Sequence, residues 1–406
     1  MLFLLFSVFQ ILFINYYNVN SVVIDMSTGT NLATGKYWLE IGFTSLIDSS
    51  WTSVSTIGSG FVDPIILIGL PENGGSSYTQ GKALSSRLRN VVKSGSVSFQ
   101  VKLFQPNDSF CSKQWYVPSY ITTPISTSWC VVERGAFNVS SNSQWLQFTI
   151  SSGPVNRTTT TVQIWNFVVP STCKVGGVSG KSCAYPNSIN PNTQLGAIAT
   201  IQTLVYNTYM LLRTSRIRRR DVTLVLTPHD STTASYFSFP ISETAGFMMF
   251  ITGKTLACIE KLAFETRRFP SITSDKFSYT YTWKYARVPG IFGHLLTQNS
   301  ATDSTGLRTF GRNLTLSYII TQEDYCDSSD PIHTTQEVAA VFVVGELATS
   351  GTVVCGVIYT GPTDAPTSAP SRTPTFSPSS PPTTAPTRSP TTAPTFAPTF
   401  APTTAP

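Results

Sequence analysis

The chain has 406 residues and a net charge of +6, with 12% charged and 12% aromatic residues. That length exceeds one hydrophobic core and predicts about two or three domains. A body poor in charge and rich in Ser, Thr, Asn, Gly and Pro has the composition of an exported β-protein, and its modest, local positive charge excludes the broad basic face that nucleic acid requires.

Residues 1–21 open with "MLFLLFSVFQILFI", an apolar run shorter than the roughly 20 residues that span a bilayer. The segment reads as a secretory signal peptide; because a positive n-region is missing, an uncleaved anchor is the alternative. No membrane span is expected beyond it, and the expected location is extracellular, at a cell surface or in a cell wall. Sequons at Asn107, Asn138, Asn156 and Asn313 are candidate N-glycosylation sites of a glycoprotein. None of the seven cysteines forms a CxxC pair, which argues against zinc or thioredoxin-like chemistry. In an oxidising compartment Cys111 with Cys130, Cys173 with Cys183 and Cys326 with Cys355 are candidate disulfides. The odd count leaves Cys258, buried or bridging two chains.

Three phrases then line up in order. They are "FVDPIILIGLP…RLRNVVKSGSVSFQVKLFQPNDS…WCVVERGA", "LGAIATIQT…LLRTSRIRRRDVTLVLTPHDS…ETAGFMMFITG" and "VPGIFGHLL…GLRTFGRNLTLSYIITQEDYC…QEVAAVFVVGE". Each has an apolar strand, a Leu-Arg pair, a strand alternating with period two into an acidic tip, and a closing apolar strand. The fold class expected is all-β: tandem small antiparallel sandwiches, copy 1 over 22–140, copy 2 over 141–255 and copy 3 over 277–360. Residues 256–276, with weak helical periodicity, are expected as a linker or short helix. From 361 to 406 a proline recurs about every fourth residue among Thr, Ser and Ala. This tail is expected to be a disordered polyproline II stalk, reaching on the order of 140 Å.

The opening "F-x-x-P-I-I-L" strand, the Leu-Arg strand end, the alternating strand and the "WCVVERG" closing strand together resemble the H-type lectin domain, an invertebrate sugar-binding six-stranded β-sandwich. The resemblance implies a shallow sugar site at strand ends between subunits, built on an arginine of the central strand and a loop-tip Trp-His pair. The arginine matches Arg89, Arg213 and Arg308, and the tips match Asn107-Asp108, His229-Asp230 and Glu323-Asp324. Only the second copy keeps a histidine and none keeps the tryptophan, which puts the family's sugar preference in question.

Arg216, Arg218, Arg219 and Arg220 do not recur between copies. They suit an acidic polysaccharide, a solvated basic turn or a processing site. The loop "EDYCDSSDPIH" has carboxylates at spacings that do not match a calcium-binding helix-loop-helix, so it is a polar loop or a cation site; no metal is expected. There is no HExxH, no GxSxG and no phosphate-binding glycine loop, so neither an enzyme nor a cofactor is expected. The expected function is non-catalytic glycan recognition or adhesion by a secreted or cell-surface lectin-like protein, with glycans or acidic polysaccharide as partners and self-association possible in principle through several modules. The alternative is a structural glycoprotein of the extracellular matrix or cell wall.

Overall fold

A computed structural model describes residues 22–25, 37–46, 50–72, 84–93, 95–104, 125–141, 144–157, 165–168, 173–175, 178–181, 185–205, 207, 210–228, 241–257, 262–273, 277–297, 305–323, 337–348 and 356–359. The described residues are mostly strand with one helical turn, and the expected signal peptide and tail lie outside them. Module 1 runs β1 (Val22–Asp25), β2 (Tyr37–Leu46), β3 (Thr52–Ser55), β4 (Pro64–Ile68), β5 (Ser85–Val92), β6 (Ser98–Phe104) and β7 (Ile125–Glu133). Module 2 runs β8 (Gly135–Ser141), β9 (Gln144–Arg157), β10 (Trp165–Val168), β11 (Cys173–Val175), β12 (Val178–Lys181), the one-turn α1 (Pro191–Gln194), β13 (Leu195–Ile201), β14 (Met210–Ile217), β15 (Asp221–Pro228) and β16 (Ile241–Ile251). Module 3 runs β17 (Lys254–Ala257), β18 (Leu262–Ile272), β19 (Phe277–Thr280), β20 (Gly290–Leu295), β21 (Thr305–Arg312), β22 (Leu316–Glu323) and β23 (Glu337–Glu346), and β24 (Gly356–Tyr359) returns to pair with β8 at the edge of the module 2 sheet.

One plan is written three times. The larger sheets are β1-β2-β7-β4, β13-β16-β9-β8-β24 and β17-β18-β23-β20, and each is faced by a three-stranded sheet, β3-β6-β5, β10-β15-β14 or β19-β22-β21. Every pairing between the named strands is antiparallel, as in β2 with β7, β9 with β16 and β18 with β23, and a single parallel bridge joins Glu72 to Thr309. The equivalent strands β5, β14 and β21 each carry a bulge near the end, between Arg89 and Val92, Thr214 and Arg216, and Thr309 and Arg312. The copy boundaries expected at 140 and 255 fall inside β8 and β17.

Among the described residues, 256–257 and 262–272 are strand, not the helix or linker expected over 256–276. They belong largely to β17 and β18, and β18 is a central strand of its sheet. Leu262 and Phe264 face one core while Ala263 and Phe269 face another. Burial on both faces blurs the period-two signal, so the segment reads as a weak helix.

The same two-sided burial runs through the closing strands. In β7, Trp129 and Val131 join Phe99, Val101 and Leu103 in the core of module 1, whereas Cys130 and Val132 join a second core shared by all three modules. In β23, Val341 and Val343 face module 3's own core and Phe342 and Val344 the shared one. The Phe342 ring centre lies 5.6, 6.0, 6.1 and 6.0 Å from those of Phe148, Phe250, Phe264 and Phe292, edge-on to Phe148, stacked on Phe264 and tilted to the other two, separations typical of interacting aromatic rings. The sandwiches therefore do not hang separately on the chain; residues 1–363 form one compact unit.

Cys130 corrects a sequence expectation. It is a free thiol, wholly buried in the shared core, and not a disulfide partner of Cys111. Burial, with Glu40 nearby, pushes its pKa far up, so it stays a neutral apolar group. Cys173 lies on β11, and the side chains of the remaining cysteines lie outside the described residues.

Candidate functional site

Equivalent arginines stand at the seams between the modules. Leu88, Thr214 and Thr309, each wholly buried, pair with the core residues Val101, Leu224 and Ile319. The residue before each is therefore equivalent and points out of its own sandwich: Arg87, Arg213 and Arg308. Arg87 of module 1 forms an ion pair with Glu243 of module 2, and its Nη2 donates to Thr203 O at 3.3 Å. Arg308 of module 3 donates in the same way to Glu72 O of module 1 at 3.2 Å. Arg213 of module 2 bears electrostatically on His294 of module 3 and lines a cavity with it.

Further bonds close the seams. Gln202 exchanges two hydrogen bonds with the backbone of Ile66, donating at 2.6 Å and accepting at 3.0 Å. Leu70 N donates to Ile291 O at 2.9 Å, and Arg312 Nη2 donates to Ser126 Oγ at 3.1 Å. Desolvation opposes the charge on Arg87 and lowers its pKa, while Glu243 raises it.

The sequence reading placed the repeated arginine of copy 1 at Arg89. The register places it at Arg87, because "SRLR" offers two arginines two residues apart on the same face. Arg213 and Arg308 are only 2% exposed and face other modules, not solvent. Glu323 ends β22 opposite Thr305, with its side chain outside the described residues, where Asn107, Asp108, His229, Asp230 and Asp324 also lie.

Arg89 itself sits elsewhere, on the outer face of the three-stranded sheet of module 1. Its guanidinium lies 4.2 Å above the Trp51 ring. Trp51 meets Phe104 edge-on at 5.9 Å, and Lys102 Nζ lies 5.2 Å from the Phe104 ring centre. Arg89 Nε donates to Gln100 Oε1 at 2.8 Å, Asn90 Nδ2 donates to the same oxygen at 3.0 Å, and Gln100 Nε2 donates to Ser53 Oγ at 3.1 Å. Asn90 takes a left-handed φ of 51° in the bulge, a conformation asparagine tolerates better than most residues. With Nε engaged, the two Nη groups of Arg89 remain for a ligand beside a half-buried indole.

The repeated phrases do not include Trp51, and the sequence reading did not pair it with Arg89. Period-two alternation groups Trp51 with Ser53 and, separately, Gln100 with Lys102; the pairing of Ser53 with Gln100 then puts all four on one face. Modules 2 and 3 carry Ser215 and Phe310 two residues beyond their outward arginines, where module 1 has Arg89. Tyr279, by contrast, is core: its hydroxyl donates to Glu265 Oε2 at 3.0 Å.

The basic turn joins β14 and β15. Arg216 pairs with Asp221 at 3.4 Å, Arg219 Nη1 donates to Asn187 Oδ1 at 2.8 Å, and Arg218 and Arg220 are exposed. Of the sequons, Asn313 is exposed in the β21–β22 turn, where its Oδ1 accepts from Thr315 Oγ1 at 3.1 Å. Asn138 lies on β8 opposite Gln147 and Ile358, and Asn156 on β9 opposite Ser242; Asn107 lies outside the described residues.

Among the described residues no group of three His, Cys, Asp or Glu side chains could hold a metal ion, and no helix is long and apolar enough to cross a membrane. No known family pattern, curated protein or solved structure matches this chain.

Proposed function

We propose that this protein is a secreted or cell-surface carbohydrate-binding protein of the H-type lectin kind, which recognises glycans without changing them chemically. The observation that carries the reading is the Trp51–Arg89–Gln100 face of module 1. A sugar offers an apolar ring face and hydroxyls that both give and take hydrogen bonds. An indole edge flanked by a guanidinium fork, two amides and a hydroxyl supplies partners for both. The exposed Arg218 and Arg220 give a second, electrostatic contact for sulfated or carboxylated polysaccharide. The apolar leader, the sequons and the Pro/Thr-rich tail favour an extracellular address.

The test is a glycan array with the full chain, followed by titration of any hit against Trp51→Ala and Arg89→Ala. Saturable binding weakened at least about tenfold in both variants, with wild-type melting, is the expected result. Absence of glycan binding together with strong self-association overturns it in favour of a structural glycoprotein of the matrix or cell wall.

A further inference from the structure

Three cations crowd one face of the three-stranded sheet in module 1. Arg87 of β5 stands opposite Lys102 of β6, and Arg89 stands opposite Gln100, so Arg87, Arg89 and Lys102 all point to the outer side. Side chains directly opposite have Cβ atoms about 5 Å apart and diagonal ones about 7–8 Å, and like charges so placed repel. Among the described residues Arg87 is the one of the three with a carboxylate partner, Glu243 of module 2, and that pair is closed to solvent.

Arg89 and Lys102 stand instead over aromatic rings. The Arg89 guanidinium lies 4.2 Å above Trp51, Lys102 Nζ lies 5.2 Å from the Phe104 centre, and the two rings meet edge-on at 5.9 Å. A ring face holds a cation in place but takes up none of its directed N–H bonds. Arg89 donates through Nε to Gln100 Oε1 at 2.8 Å, which leaves both Nη groups and the Lys102 ammonium facing outward from half-buried side chains. Two partly desolvated neighbours of like charge disfavour each other until an anion joins them. Ser53, Ser55 and Ser98 continue the same face with hydroxyls. From Trp51 to Ser55, at about 3.3 Å per residue, the platform runs about 13 Å, enough for more than one sugar ring.

We propose that this face selects acidic glycans: a carboxylate or sulfate on the sugar is held by the Arg89 fork and the Lys102 ammonium together, while the sugar ring lies against the Trp51 indole. The inference rests on the glycan-binding reading and narrows it, since the anionic group and not the sugar ring alone decides what binds. Two oxygens of either anion match the planar guanidinium, and the ammonium adds a point charge to the same group.

The test is isothermal titration calorimetry on the full chain carrying Arg218→Ser and Arg220→Ser, so that the basic turn contributes no charge. The ligands are an oligogalacturonate with its methyl ester, and a sulfated galactan oligomer with its desulfated form. At least one charged oligomer should bind saturably, at least about tenfold more tightly than its uncharged counterpart, and more weakly as sodium chloride rises. The two ligand pairs tell a carboxylate from a sulfate. Lys102→Gln should weaken the charged ligand at least about tenfold; if that variant fails to fold, the charged and uncharged ligands decide on the parent chain. Equal affinity within both pairs, charged-ligand binding unchanged in Lys102→Gln, or a glycan array whose hits are all neutral overturns this proposal and leaves glycan recognition standing. A blank array overturns both.

Discussion

Arg87→Met tests whether the modules stand or fall together. The substitution keeps most of the aliphatic volume but removes the guanidinium from a pair whose two side chains are both 0% exposed. Glu243 then loses its guanidinium partner, while it still accepts from the Thr203 hydroxyl at 2.6 Å and the Val205 N–H at 3.2 Å. Removing one partner of a buried ion pair costs about 3–5 kcal/mol, because the other charge stays desolvated. Against a typical total of about 5–15 kcal/mol, that is a large fraction. Urea unfolding followed by tryptophan fluorescence and far-UV circular dichroism should show a single transition moved to lower urea by both probes. The double variant Arg87→Met/Glu243→Leu removes both charges and should recover most of the loss. A cost below about 1 kcal/mol, or module 1 unfolding in its own transition while the rest holds, would refute the interlocking of the modules.

Three further outcomes follow from particular contacts. His294 has a folded pKa of about 3 against an ordinary 6.5. Below pH 6.5 the unfolded chain takes up a proton that the native state refuses, so stability is full above that pH and declines toward pH 3. His294→Leu should flatten the decline by up to about 1.4 kcal/mol per pH unit; identical slopes in the two proteins would contradict the buried neutral imidazole. Gly246→Ala puts a Cβ 2.2 Å from Ile65 Cγ2 across the seam between modules 1 and 2. It should cost about 1–3 kcal/mol in denaturant titration, and a neutral effect would mean that the seam is looser than described. Expression in a glycosylating host should yield an N-glycan at Asn313, visible as a mass shift lost in Asn313→Gln, and an unmodified Asn313 would remove the sequon from the argument.

Much of the fold was legible because strand alternation and turn residues are local. "SVSFQVKL", "DVTLVL" and "NLTLSYII" each name one buried face, and the repeated phrases predicted one plan used three times. The candidate site was half legible. Arg89 stood out by its Leu-Arg context, but its partner Trp51 comes from another strand, and nothing local says that the two share a face at 4.2 Å. The slip between Arg87 and Arg89 has the same origin, since both have the same parity and only cross-strand pairing separates them.

What the sequence determined alone was the all-β class, the period-two faces and the composition of the tail. The tertiary structure decided where the second apolar face of each closing strand goes. Runs such as "CVV", "FMMF" and "VFVV" demand burial on both sides but do not say against what. Packing those faces on one another turned three outward arginines into seams, withdrew Arg213 and Arg308 from solvent, and left His294 at a shared junction. Burial is a property of the assembled surface, and no residue carries its neighbours in its own local pattern.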